Sequence, residues 1–133
     1  MEKRKEILSK LLVSEEETLG ELKELVTMAS KLLKIEKETG ESFFTEPKNL
    51  TNKDKIALLL VGKYFAKELG LKEDIAFSTG ELSEKLNVPS TTLSKPLGQL
   101  VEEKVIRKTD DGKYTIVYHK IKGLLESKSG KNG

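Results

Sequence analysis

Cysteine is absent from the chain, so no disulfide can staple it and no thiolate can hold a metal. The one histidine, His119, makes an imidazole-based metal centre equally hard to assemble, and it reads as a surface or capping residue. Tryptophan is missing and aromatic residues are only 5% of the 133 positions, so any core must be largely aliphatic. No apolar run approaches the roughly 20 residues that cross a bilayer. The start, MEKRKEILSK, has neither the apolar stretch nor the small-residue cleavage site of a signal peptide. A cytoplasmic protein that does not engage membranes is expected. The ten glycines are scattered and form neither GxGxxG nor GxxxxGK[ST], which removes the loops that cradle nucleotide phosphates. Ser83 or Ser94 could be grouped with His119 and an acid, but nothing in their spacing singles them out. No enzyme, catalytic residue, metal or cofactor is expected.

Charge is plentiful. Asp, Glu, Lys and Arg make up 35% of the chain, mostly as Lys and Glu, a composition that suits the ion-pair networks of heat-adapted proteins. The net +2 divides unevenly. Residues 1–46 carry 8 basic and 11 acidic groups, a net −3, whereas residues 47–133 carry 16 and 11, a net +5. The basic excess lies in the second part, the direction that phosphate binding requires.

Residues 2–38 read as helical, punctuated at Ser14, which precedes Glu15, Glu16 and Glu17 as an N-cap precedes acids at the positive end of a helix dipole. Ile7, Leu8, Leu11 and Leu12 form the apolar side of the first piece. In the second, Leu19, Leu22, Val26, Ala29 and Leu33 follow the 3,4 spacing of a coiled-coil seam, widened by Leu25 and Leu32. Such a seam needs a cover, and a second copy of the chain is the expected one, giving a homodimer. Gly40 stops this segment, and residues 41–49 read as a connector in which Phe43 or Phe44 anchors against the following domain or docks a protein partner. A helix then begins near Thr51 or Asn52, carries the apolar block Ile56 to Val61 through the core, and stops at Gly70. Gly62 inside it points to a close contact with another helix.

From Ser78 to Tyr118 the pattern becomes specific. Ser78 and Glu81 have capping-box spacing, Leu82 and Leu86 form a buried side, and Asn87, Val88 and Pro89 break the helix. A second helix from near Ser90 turns Leu93, Leu97, Leu100 and Val101 inward and leaves Ser90, Thr91, Thr92, Ser94, Lys95 and Gln99 outside. Pro96 inside it predicts a kink or a late start near Leu93, with Ser90 to Thr92 as turn or cap, and Pro96 with Gly98 offers a close approach to a neighbour. Residues 105–118 switch to a period near two around Asp110-Asp111-Gly112-Lys113, a hairpin whose turn is type I′ or a bulged variant with Gly112 at positive φ. Ile75, Ala76 and Phe77 suit a short flanking strand. Ile121, Leu124 and Leu125 suit a terminal helix.

The stretch GELSEKLNVPSTTLSKPLGQLVEEKVIRK with its hairpin resembles the winged helix-turn-helix superfamily, common among small prokaryotic and especially archaeal transcription factors; the resemblance covers roughly residues 50–126. It implies a mainly α fold with a small β-hairpin: an N-terminal helical, coiled-coil-like segment (1–46), a winged domain (47–126) and a disordered tail (127–133). The function it implies is transcription regulation on double-stranded DNA, with Thr91, Thr92, Ser94, Lys95 and Gln99 toward base edges. Arg107, Lys108 and Lys113 of the wing would meet phosphate or minor groove, and Ser90 a phosphate at the helix start. The superfamily also contains members that bind only proteins, so a protein–protein module within a larger assembly is the alternative.

Overall fold

Five helices and two short antiparallel hairpins make up the part of the chain that this computed structural model describes, residue 4 and residues 15–129. Helix α1 (Glu15–Ala29) leads into strands β1 (Leu33–Ile35) and β2 (Ser42–Phe44), and a 3-10 turn (Pro47–Asn49) connects them to helix α2 (Asn52–Glu68). Helices α3 (Thr79–Leu86) and α4 (Ser90–Glu102) precede strands β3 (Ile106–Lys108) and β4 (Tyr114–Ile116), and a second 3-10 turn (Tyr118–Lys120) opens α5 (Ile121–Ser129).

Local chemistry sets most boundaries. Thr51 and Ser78 each close a capping box: the hydroxyls accept from the N–H groups of Asp54 and Glu81 (both 3.1 Å), and the two carboxylates accept from the N–H groups of Thr51 (3.1 Å) and Ser78 (2.8 Å). Three helices end in the same way, with a left-handed residue after the last turn and an N–H beyond it bonded back five residues: Leu71 to Ala66, Val88 to Ser83 and Val105 to Leu100. The left-handed residues are Gly70 (φ 78°), Asn87 (φ 56°) and Lys104 (φ 63°).

α2 is the centre of the molecule, with Ile56 to Val61 fully or almost fully buried. Leu82 of α3, Leu93, Leu97 and Leu100 of α4, Ile106 and Ile116 of the second hairpin, and Ile121 and Leu125 of α5 close around it. Gly62 is required where β2 crosses α2, because a Cβ there would lie 3.0 Å from the Ser42 Cβ and collide with its hydroxyl; the close contact is therefore with a strand. The Lys63 side chain, only 10% exposed, donates to the Ala76 carbonyl (3.0 Å), pairs with Asp74 (3.1 Å) and lies 4.2 Å from the Phe77 ring centre. Glu41, at the end of the first hairpin, is shared by Lys72 and by Lys85 in the last turn of α3.

The amino-terminal segment departs from the sequence expectation. The helix ends at Ala29, and Leu33 lies in β1, paired with Phe44, while Lys34 pairs with Phe43 and Ile35 with Ser42. Residues 15–46 are therefore a helix plus a hairpin, and the supposed connector is half of that hairpin. Phe44 packs against the core, whereas Phe43 is 53% exposed. The apolar seam is split. Leu25, Ala29 and Leu33 belong to the chain's own core, which takes Ala29 and Leu33 away from any partner, while Leu19, Leu22 and Val26 face outward. On a helix at about 100° per residue, Leu19, Leu22 and Val26 fall to one side of Ala29 and Leu25 to the other, so one wide stripe serves two directions. The Ser14 cap and the stripe from Ile7 to Leu12 lie outside the described residues.

Two smaller corrections follow, and the wing turn takes one of its two expected forms. Of Ile75 to Phe77, only Phe77 pairs, in a single bridge to Tyr114. Ser127 to Ser129, expected in the tail, continue α5, and Lys128 reaches Asp54 at 2.7 Å; residues 130–133 lie outside the described residues. The wing turn is the bulged variant. The Gly112 N–H donates to the Thr109 carbonyl (3.0 Å) with Gly112 at φ 82°, and neither Asp110 nor Asp111 has the positive φ that type I′ needs.

Asp54 carries a testable pH dependence. Burial alone would raise its carboxyl, but the hydrogen bond from Lys128 and those from the Thr51 backbone and side chain hold it below its ordinary 3.8. A depressed carboxylate stabilises the fold above its ordinary value, and that contribution disappears as pH falls through the lowered one. Asp54→Asn should therefore lower the melting temperature at pH 7, and the gap to the parent should narrow as the pH falls below the ordinary 3.8. A gap that does not change with pH would exclude this linkage.

Candidate functional site

α4 is seated by Leu93, Leu97 and Leu100, which recur on one side of the helix and are buried. Everything else on the helix follows from that seat. Ser90, Thr91, Thr92, Ser94, Lys95 and Gln99 are all exposed. At about 100° per residue, Thr91, Lys95, Gly98 and Glu102 form the middle row of the open face, Ser94 and Val101 flank it on one side, and Thr92 and Gln99 on the other. Val101, expected inward, is 38% exposed because it sits one step off the buried row.

Pro96 neither ends nor delays the helix, which runs unbroken from Ser90 to Glu102, so Ser90 to Thr92 are its first turn and not a preceding cap. The missing N–H leaves only the Thr92 carbonyl without its usual donor, and Thr92 is exposed, so water can serve it. A Cβ on Gly98 would meet nothing within 4 Å, so this glycine opens space on the surface and does not mediate a close contact. The N-cap, Pro89, provides no side-chain bond, which leaves the first N–H groups of α4 facing solvent beside the Ser90 hydroxyl.

The second hairpin stands beside the Ser94 flank. Thr79, Ser94, Gly98, Val101, Lys108 and Tyr114 line a cleft of about 290 Å³ between α4 and the wing. Lys108 is held there with its ammonium 5.9 Å from the Tyr114 ring centre. Side chains alternate along a strand, so Lys108 shares a face with Ile106 and Tyr114, while Arg107 shares the other face with its cross-strand partner Thr115. The fold thus brings Ser94 and Lys108 together and directs Arg107 away from them. Lys113 is half-buried at the turn, where its N–H donates to the Thr109 hydroxyl (3.1 Å), and its charge helps to hold the Glu81 carboxyl below its ordinary value, after the larger effect of the Ser78 N–H.

The wing-tip acids are unequal. Asp111 accepts from the Thr109 hydroxyl, and this bond leads the causes that lower its pKa; Asp110 is exposed and makes no such bond. Thr79, Gly98, Val101 and Tyr114 join the cleft without having been expected at the site. The 3.6-residue period places Gly98 and Val101, but Thr79 and Tyr114 arrive only through tertiary packing. Comparison with family models, with curated proteins and with solved structures finds no match to this chain.

Proposed function

We propose that α3, the turn at Asn87 and α4, with the β3–β4 hairpin as its wing, form a winged helix-turn-helix that binds double-stranded DNA and acts in transcription regulation. The observation that carries this reading is the open face of α4. Six hydroxyl, amide and ammonium side chains project from one short helix, its uncapped start is open to a phosphate, and Lys108 stands beside it across the cleft. In this mechanism Thr91 and Lys95 enter the major groove, with Ser94 on the wing side and Thr92 and Gln99 on the far side reaching adjacent base edges or sugars. Lys108 contacts the flanking phosphates. Lys113 contributes less, because its charge is shared with Glu81.

The test is duplex binding as a function of salt. Lys108→Ala should weaken binding to all sequences and flatten the log–log salt slope by roughly 0.9 per lost phosphate contact. Lys113→Ala should change the slope less. If the unaltered protein does not bind duplexes at about 50 mM salt, a range in which phosphate contacts are strong, the DNA reading is abandoned. The protein–protein alternative would then take over, with the exposed Phe43 as its best-placed anchor.

The second part of the proposal is a homodimer through Leu19, Leu22 and Val26. Three large aliphatic side chains on one exposed stripe support it, each worth roughly 1.5 to 3 kcal/mol when fully buried. Sedimentation of the intact chain should show a dimer. Leu22→Glu with Val26→Glu should convert it to a monomer, and a parent protein that is already monomeric at tens of micromolar would sink the pairing.

A further inference from the structure

One edge of the wing has bonding capacity that the proposed DNA contacts leave unused. On the other edge of the sheet, β4 is closed by Phe77, which exchanges two main-chain bonds with Tyr114 (3.0 and 2.8 Å). β3 has no such neighbour. The Thr109 N–H bonds to the Lys113 carbonyl (2.7 Å) and the Val117 N–H to the Val105 carbonyl (2.9 Å), so the bonded pairs of the hairpin are 109/113, 107/115 and 105/117. By that alternation the N–H and C=O groups of Ile106 and Lys108 point outward, with no main-chain partner among the described residues.

A groove of about 650 Å³ wraps this free edge. Its lining includes Lys108 from one face of the hairpin, Arg107 and Val117 from the other, and Val101 from α4. Lys104, Ile106, His119 and Lys120 complete it, and no carboxylate lines it. Lysines on an edge strand commonly protect it from aggregation. Here they frame a groove with apolar Val101 and Val117 in its walls, which gives a partner something to bury.

We infer that the β3 edge is a docking site for an extended acidic peptide that adds as a third strand and alternates carboxylate and aliphatic side chains. Charge complementarity selects an anion. The main chain selects a peptide over nucleic acid, because the edge presents two carbonyl acceptors as well as two donors, and a phosphate backbone can satisfy only the donors. The groove shares Lys108 and Val101 with the cleft beside α4, but the main-chain groups of the β3 edge take no part in the DNA reading, so the two readings are tested separately.

The test uses the full chain and a fluorescein-labelled, capped seven-residue peptide alternating glutamate and valine, followed by anisotropy and by amide hydrogen exchange. The peptide should bind and slow exchange at Ile106 and Lys108. N-methylation of one alternate set of its residues should weaken binding about tenfold, the loss of roughly one or two hydrogen bonds, while the complementary set should have little effect. Lys104→Ala with Lys120→Ala should also weaken it. The inference is overturned if the peptide does not bind at millimolar concentration, if the two methylated sets behave alike, or if a short DNA duplex displaces the peptide and protects the same two amides.

Discussion

Leu93→Ala is expected to lower the stability of the protein by about 2–5 kcal/mol, the range for truncating a fully buried leucine when its surroundings cannot collapse into the space. Leu93 is 0% exposed and is the first buried residue of α4, one turn from the uncapped start of the helix. With no side-chain cap and no N–H at Pro96, the first two turns of α4 depend on this seat more than on their own hydrogen bonds. Urea unfolding should show a lower midpoint with an unchanged slope. Gln99→Ala, on the exposed side of the same helix, should stay within about 0.5 kcal/mol. A loss below about 1 kcal/mol at Leu93 would mean that α4 is not seated as described.

Gly40→Ala is the other large effect, and Gly70→Ala is its internal control. Both glycines are left-handed, at φ 74° and 78°, so each alanine should cost about 1–2 kcal/mol from backbone conformation alone. Only Gly40 is also enclosed. A Cβ there would lie 2.9 Å from the Leu71 Cβ and 3.1 Å from the Leu71 carbonyl oxygen, whereas at Gly70 it would meet nothing within 4 Å. Overpacking adds roughly 1–3 kcal/mol, so Gly40→Ala should cost about 2–5 kcal/mol in total. The difference between the two variants measures how closely the first hairpin is pressed against the segment after α2. Equal losses would show that it is not.

These contrasts also mark what could be read from the residues alone. Caps and turns were legible, because Thr51, Ser78 with Glu81, Gly70 and Gly112 act through bonds within a few residues of themselves. The buried sides of α3 and α4 were legible too, through their period. The split of the α1 stripe was not. Leu33, Lys34 and Ile35 lie in the expected helix, and they become strand only because Phe44, Phe43 and Ser42 pair with them across the Gly40 turn, a partnership no local pattern announces. At the candidate site, residue types and the open side of α4 were visible in advance. That Ser94 and Lys108 share a cleft while Arg107 faces the other way depends on which face of β3 meets the helix. That in turn depends on the register Ile106↔Ile116, because a one-residue slip would exchange the two.

Glu41 gives the molecule a mechanical property. It is one carboxylate held by cations from two separate segments, Lys72 after α2 and Lys85 at the end of α3. Tension applied through α1 to the first hairpin is therefore carried directly to the foot of the two-helix unit. The linkage has a single point of failure, since neutralising Glu41 leaves two lysines facing each other and converts a strut into a repulsive gap. Under load, the hairpin and α3 would part at this tie before α2 gives way, because α2 is anchored by its buried side chains.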